Sequence, residues 1–222
     1  MKHKRIFVAL VAVAAFGATA AIASAAINIT HPTGTVLAVG SELTMTNVGE
    51  AKFTSTGGNV SCYLATPTGT VVSNTTAGGF KVEVTSAPFS GTNTTADCTA
   101  FGSFIDGAVK VTTNPTPNGL PWCIKSAAND NFEITGGSCA GAARAIRIVL
   151  DVTFKATCVY EKSGPITGTA TTDTAGADGM LTITPAEFKL VSGAGCPAAV
   201  TMDLATTVEK DGGLSEPVWF SS

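Results

Sequence analysis

Residues 146–160, Ile-Arg-Ile-Val-Leu-Asp-Val-Thr-Phe-Lys-Ala-Thr-Cys-Val-Tyr, constrain the fold more than any other stretch. Ile146, Ile148, Leu150, Val152, Phe154, Ala156, Cys158 and Tyr160 all fall on even positions. Arg147, Val149, Asp151, Thr153, Lys155, Thr157 and Val159 fall between them. Successive side chains of a strand point to opposite faces, so the pattern predicts one central strand with a buried and a largely wetted face. The alanines of residues 140–145 would suit a helix, but β-branched residues in strict alternation favour the strand. Cys158 is in phase with the buried face, so its disulfide partner must approach from inside the core.

The same alternation recurs along the chain. Phe80, Val82 and Val84 alternate with Lys81 and Glu83, and Leu181 and Ile183 with Thr182 and Thr184. Val200, Met202, Leu204, Thr206 and Val208 form another such row. Gly78-Gly79, Asp178-Gly179, Ser192-Gly193 and Asp211-Gly212-Gly213 mark turns, where positive φ costs little. Only 13% of the residues are charged, a composition poor in the Glu and Lys that surface helices carry. One-sided antiparallel strands must cover their apolar face, and a second sheet is the usual cover. The expected fold is all-β: an antiparallel two-sheet β-sandwich, for which a jelly-roll-like topology is open.

Six cysteines, Cys62, Cys98, Cys123, Cys139, Cys158 and Cys196, supply the framework. An even count in an exported chain reads as disulfides, with connectivity open from sequence alone. Their spacing lacks the C-x-x-C pairs of a zinc site, so no metal is expected. An internal repeat narrows the connectivity. From Cys62 the chain passes Thr68-Gly-Thr70, a polar turn, residues 80–84, Ala87-Pro-Phe89 and Cys98. From Cys158 it passes Thr167-Gly-Thr169, a polar turn, residues 181–184, Ala186-Glu-Phe188 and Cys196. A shorter echo, Pro32-Thr-Gly-Thr-Val36, repeats Pro67-Thr-Gly-Thr-Val71. Segments 51–98 and 147–196 therefore read as two cysteine-flanked repeats. An element duplicated with its bridge keeps its pairing, which predicts Cys62–Cys98 and Cys158–Cys196, and Cys123–Cys139 by elimination. Residues 99–145 read as an inserted loop or hairpin region, in which Asn114-Pro-Thr-Pro-Asn-Gly119 should forbid regular pairing.

The first 25 residues have a basic start, an Ala-rich apolar run and Ala23-Ser24-Ala25, the plan of a bacterial-type secretory signal peptide. The competing reading is an uncleaved anchor, which the weakly lipophilic alanines and the well-formed cleavage site disfavour. Cleavage before Ala26 leaves 197 of 222 residues and removes Lys2, Lys4 and Arg5. Ten basic residues then face 16 acidic ones, and the net charge falls from −3 to −6. That balance argues against nucleic acid or an anionic membrane as partner. The expected organisation is a signal peptide over 1–25, an N-terminal strand segment over 26–50 and a disulfide-stapled sandwich over 51–222, secreted or at the cell surface.

The signal peptide, the cysteine-flanked hairpins, the central Leu120-Pro121-Trp122 and the late Cys196-Pro197 together resemble small secreted bacterial proteins related to the alkane-oxidation activators. The resemblance covers most of residues 50–208 and implies location and architecture more than activity, since that group has no established catalytic residues. Cys123 and Cys139 depart from its pattern.

Chemistry-bearing residues are sparse. His31, the one histidine beyond the signal peptide, could serve as a base, but Ile-Thr-His-Pro-Thr reads as a turn. Asp106, Glu133 and Glu187 could be offered as a glycosidase pair, yet solvated strand positions explain them as well. Residues 173–179 could suggest a calcium loop but lack the ligand density and closing Glu of an EF-hand. No catalytic residue, cofactor or metal is therefore expected. Trp122 could be an exposed platform for a sugar or an apolar compound, or could cover an open end of the sandwich. Asn28, Asn59, Asn74 and Asn93 begin glycosylation sequons, relevant only in a glycosylating host. Two functions follow: a non-enzymatic structural or interaction protein, binding itself or another surface protein through a sandwich surface or strand edge, or a small-ligand module for carbohydrate or hydrocarbon. In the first, residues 27–39 are the segment expected to exchange between subunits, since no cysteine fastens them.

Overall fold

In the computed structural model, residues 26–91, 98–101, 110–152, 156–171, 178–211 and 216–221 are described. Residues 1–25, where a signal peptide is expected, lie outside them. The described residues form strands and no helix. In chain order these are β1 (Asn28–Thr30), β2 (Glu42–Asn47), β3 (Ala51–Ser55), β4 (Gly58–Cys62), β5 (Leu64–Ala65), β6 (Thr68–Thr75), β7 (Gly79–Ser86) and β8 (Phe89–Ser90). There follow β9 (Cys98–Phe101), β10 (Lys110–Thr113), β11 (Pro115–Asn118), β12 (Trp122–Ser126), β13 (Asn131–Gly136), β14 (Ile146–Val152) and β15 (Ala156–Lys162). The last are β16 (Ile166–Thr171), β17 (Gly179–Ile183), β18 (Ala186–Ser192), β19 (Ala199–Asp203), β20 (Ala205–Lys210), β21 (Glu216–Pro217) and β22 (Trp219–Ser221).

The expected single strand over 146–160 is instead the antiparallel hairpin β14–β15, with residues 153–155 outside the described part. Its register explains the difference. Leu150 faces Cys158 and Ile148 faces Tyr160, so each even position opposes an even position. Directly opposed residues share a face, and the alternation therefore runs through the reversal without a break. Ile146, Ile148, Leu150, Cys158 and Tyr160 are all fully buried, as the pattern requires.

The two sheets are not the faces of a sandwich; they curl on themselves. In the first, β17-β16-β13-β12-β7-β6-β2-β20 form a row of eight, and β20 pairs again with β17. That last pairing closes a ring. The second sheet, β10-β9-β4-β3-β19-β18-β15-β14-β11, has β10 and β11 at its two ends. These are successive pieces of the chain, separated only by Asn114, so this sheet also bends round until its ends nearly meet. Closure removes the unpaired edges of the first sheet, while β10 and β11, each paired on one side, remain short edges of the second.

The two rings share their strands. The run β4-β3-β19-β18-β15 in the second ring continues, in the same order, as β6-β2-β20-β17-β16 in the first. Five bent strands thus pass through both. Their corners are short: Leu204 alone separates β19 from β20, and residues 184–185 separate β17 from β18. Corner backbone groups are satisfied by adjacent corners, with Val48 N donating to Ala205 O at 2.8 Å and Ile183 N to Leu204 O at 2.9 Å. Asn47 stitches two more, its Oδ1 accepting from Ala65 N at 2.7 Å and its Nδ2 donating to Tyr63 O at 3.1 Å.

Both cysteine-flanked segments follow one path. Each leaves the second ring (β4 or β15), makes a hairpin in the first (β6–β7 or β16–β17), and returns beside its own starting strand (β9 or β18). Cys62–Cys98 and Cys158–Cys196 tie the start of each path to its return, and Cys123–Cys139 forms the third bridge. Each stabilises by about 3–4 kcal/mol in the chain-entropy model. Tyr160, beside Cys158, donates its hydroxyl to Pro197 O at 3.1 Å, and burial pushes its pKa up to about 12.

One local expectation needs correction. Residues 115–118 do pair regularly, as β11 on β14. Prolines at alternate positions direct both missing donors to one side, and β11 pairs on the other side only. Residues 122–136 form a hairpin, β12–β13, crosslinked to the next connection by Cys123–Cys139, and its two strands are staves of the first ring, where Phe132 packs inside. Gly168 is required there, because a Cβ would overlap the Phe132 ring and the Thr182 carbonyl.

The N-terminal segment is fastened to its own body. β1 pairs with β22, and Ile27, Ile29, Leu37, Val218 and Phe220 are buried. They cover one end of the first ring, with Phe220 tilted against Phe80 at 5.6 Å between centroids. Asn74, at the end of β6, supplies the fastening that no cysteine does. Its Oδ1 accepts from Ile29 N at 3.1 Å, and its Nδ2 donates to Ile29 O at 2.7 Å and Leu37 O at 2.9 Å. Asn74→Ala leaves those buried groups unpaired and should cost about 3 kcal/mol, with faster amide exchange at Ile29 and Leu37. An unchanged urea midpoint would show that the cap holds without it.

Candidate functional site

The structure distributes most sequence-derived candidates rather than gathering them. His31 lies in a turn, its N–H bonded to Thr35 O and its Nδ1 3.7 Å from Glu216, which also pairs with Lys210 at 3.2 Å. Glu133, on the first ring, is held by Lys125 directly across the hairpin at 3.0 Å. Glu187 stands on β18 of the second ring, and Asp106 lies outside the described residues. Residues 173–177 are likewise outside; Asp178 has its carboxyl held above the ordinary range, chiefly by burial and then by Glu209. Among the sequon asparagines, Asn28 and Asn74 are buried and Asn59 is half-buried, so a folded chain offers no free amide at the first two; Asn93 lies outside.

Trp122 is no exposed platform. It is buried at the junction of the rings, where it lines an apolar cavity of about 50 Å³ with Val84, Phe89, Ile134, Met202 and Leu204. The chain enters β12 there, directly after Pro121. Its Nε1 has no hydrogen-bond partner. A void this small holds no drug-sized ligand, and its apolar walls give water nothing to bind.

A concave feature lies outside the rings, between residues 118–121 and 137–147, with a volume of about 440 Å³. One wall is the β11–β12 joint and the other the β13–β14 connection. The walls are tied together: Gly137 N donates to Pro121 O at 2.9 Å, while Gly136 and Arg144 exchange bonds of 3.0 and 2.7 Å. Cys123–Cys139 clamps the connection to β12, and Cys139 N donates to the Glu83 carboxylate at 3.0 Å. Gly137 has φ +90°, a conformation that other residues adopt only under strain. The groove is thus a fixed shape.

Its charged side chains are Arg144 and Arg147, and no acidic residue lines it. Arg147, on β14, is engaged from the next strand by Glu161, Nε to Oε2 at 2.6 Å. Arg144 forms no ion pair among the described residues and is exposed. The sequence reading passed over both residues. A signal was present: Arg144 and Arg147 are the only arginines beyond residues 1–25, three positions apart, in a chain that otherwise uses lysine.

The unpaired indole makes a testable point about the junction. Trp122→Phe removes an N–H that gains nothing in the folded state and should change stability by no more than about 1 kcal/mol, whereas Trp122→Ala should cost about 3–5 kcal/mol. Equal losses in urea unfolding would mean that Nε1 is satisfied in solution. No family model matches the chain, and searches of curated proteins and of solved structures find no match.

Proposed function

We propose that this chain is an exported, non-enzymatic recognition protein that holds a small ligand in the groove between residues 118–121 and 137–147. The observation that carries this reading is ring closure. An interaction protein working by strand addition needs a long unpaired edge or a detachable strand. Here β20 closes the first sheet, β10 and β11 bring the ends of the second together, and β1 is tied down by Asn74. Recognition therefore falls to the rigid joints between strands, and the groove is where two joints form a concavity within the usual size of ligand sites.

Export is supported by the leader-like residues 1–25 and by three disulfides, which persist in oxidising surroundings. Duplication of one cysteine-flanked unit accounts for the common path of residues 58–101 and 156–192. Subunit exchange of residues 27–39 would have to break the Asn74 bonds and uncover Ile27, Ile29 and Leu37, a cost that favours a closed monomer. The exported protein, beginning at Ala26, should remain monomeric over the whole accessible concentration range in size-exclusion chromatography with light scattering. Concentration-dependent oligomers or fibres would overturn this reading in favour of an assembling protein.

A further inference from the structure

We infer that the ligand held by this groove is a small organic carboxylate, bound by the guanidinium of Arg144 with its apolar part against Leu120 and Pro121; the inference rests on the groove being the recognition site. The argument begins with charge. Without residues 1–25 the chain carries six more acidic than basic residues, yet no acid lines this cavity and both remaining arginines do. A cation would meet only repulsion there, and a neutral ligand would leave Arg144 without a counter-charge.

The two arginines have different roles. Arg147 is partly neutralised by Glu161 and helps to define the floor, where it lies across from Asn118 in the β11–β14 pairing. Arg144 is the available fork. Its backbone is fixed by the two bonds to Gly136, and its Cγ and Cδ lie 3.6 and 3.7 Å from where a Cβ on Gly137 would be. The stem therefore lies alongside the loop at Gly137, at ordinary contact distance. A planar guanidinium held in this way suits the two oxygens of a carboxylate, which it binds through paired N–H donors.

The remaining lining selects among anions. One uncommitted guanidinium matches a single negative charge, and the walls offer no lysine and no helix terminus to balance a phosphate dianion. Leu120, Pro121 and Ala145 give apolar surface for the rest of the molecule, and Ser138 gives one hydroxyl at the rim. A monocarboxylate with an apolar body fits this division.

The test uses the isotopically labelled exported protein, titrated at constant ionic strength with benzoate, with benzamide as the neutral isostere and with inorganic phosphate. Benzoate should shift the amide signals of residues 119, 137–138 and 141–145 saturably, and benzamide and phosphate should bind at least about tenfold more weakly. Arg144→Gln, at an exposed side chain, should weaken benzoate about tenfold or more while leaving signals elsewhere unchanged. Ala142→Glu should abolish binding by placing a competing carboxylate in the groove. Benzamide binding as tightly as benzoate would remove the carboxylate inference while leaving the groove as a recognition site. Benzoate binding that survives Arg144→Gln, or no shift in the groove with any probe, would overturn the inference whatever the protein's assembly state.

Discussion

Everything in this molecule depends on five strands that bend through a corner and serve two rings at once. A bend exposes backbone donors and acceptors exactly where the strands leave one sheet for the other, and buried backbone groups cannot be left unpaired. The structure meets that demand laterally, each corner bonding to its neighbour: Val48 to Ala205, Ile183 to Leu204 and Asn47 to Tyr63 and Ala65. Because corners satisfy one another, no single strand can straighten without unpairing the next. Met202 and Leu204 fill the junction, so the interior of each ring is also the lid of the other. The disulfides act on the same strands, since two of them join a strand to the return of its own excursion into the first ring.

Strand content, buried faces and the partner of each cysteine were legible in the sequence because each is a local or a repeated property. The alternation around Ile148 and Cys158 reports which side chains point inward, whatever the strands do between. It could not report that β14 and β15 are antiparallel partners, because a register that opposes Leu150 to Cys158 preserves parity. Ring closure was hidden for a different reason. It rests on β20 meeting β17 and on residues 110–118 touching both ends of one sheet, and the pattern of any one strand is the same whether its sheet closes or not. The Asn74 clasp was equally silent: an asparagine in a Thr-rich hairpin reads as a turn or a sequon until the chain places Ile29 and Leu37 against it.

The groove shows the converse. Its shape is a tertiary product of the β11–β12 joint, the β13–β14 connection and the Cys123–Cys139 clamp, and no linear motif announces it. Its chemistry, however, lay open as two arginines three residues apart. Trp122 drew attention as the conspicuous aromatic, but a large apolar side chain is informative only when exposed, and here it is 8% exposed. Rare cations in an acidic chain are the stronger signal, because a charge that folding does not pair has another use or none.

Closure also dictates where such a use can lie. Once strand backbones are consumed in rings, with only the short edges β10 and β11 left, the groups still free to meet another molecule belong chiefly to joints and to outward side chains. Some outward charges are matched from the neighbouring strand, as Lys125 is by Glu133 and Arg147 by Glu161. Exposed pairs of this kind contribute about 0–1 kcal/mol each, so they do little for stability, but each lowers the net field at its position. Glu161 does this for Arg147 and leaves the field in the groove centred on Arg144. A cation left unpaired in an acid-free concavity, on a chain whose residues 26–222 carry a net charge of −6, is a local inversion of potential. Such an inversion favours anions at one place and repels them elsewhere. Its reach is set by screening, about 8 Å at physiological ionic strength, comparable with the groove itself. The selectivity it confers is therefore local, decided at the mouth of the cavity and not by the charge of the whole protein.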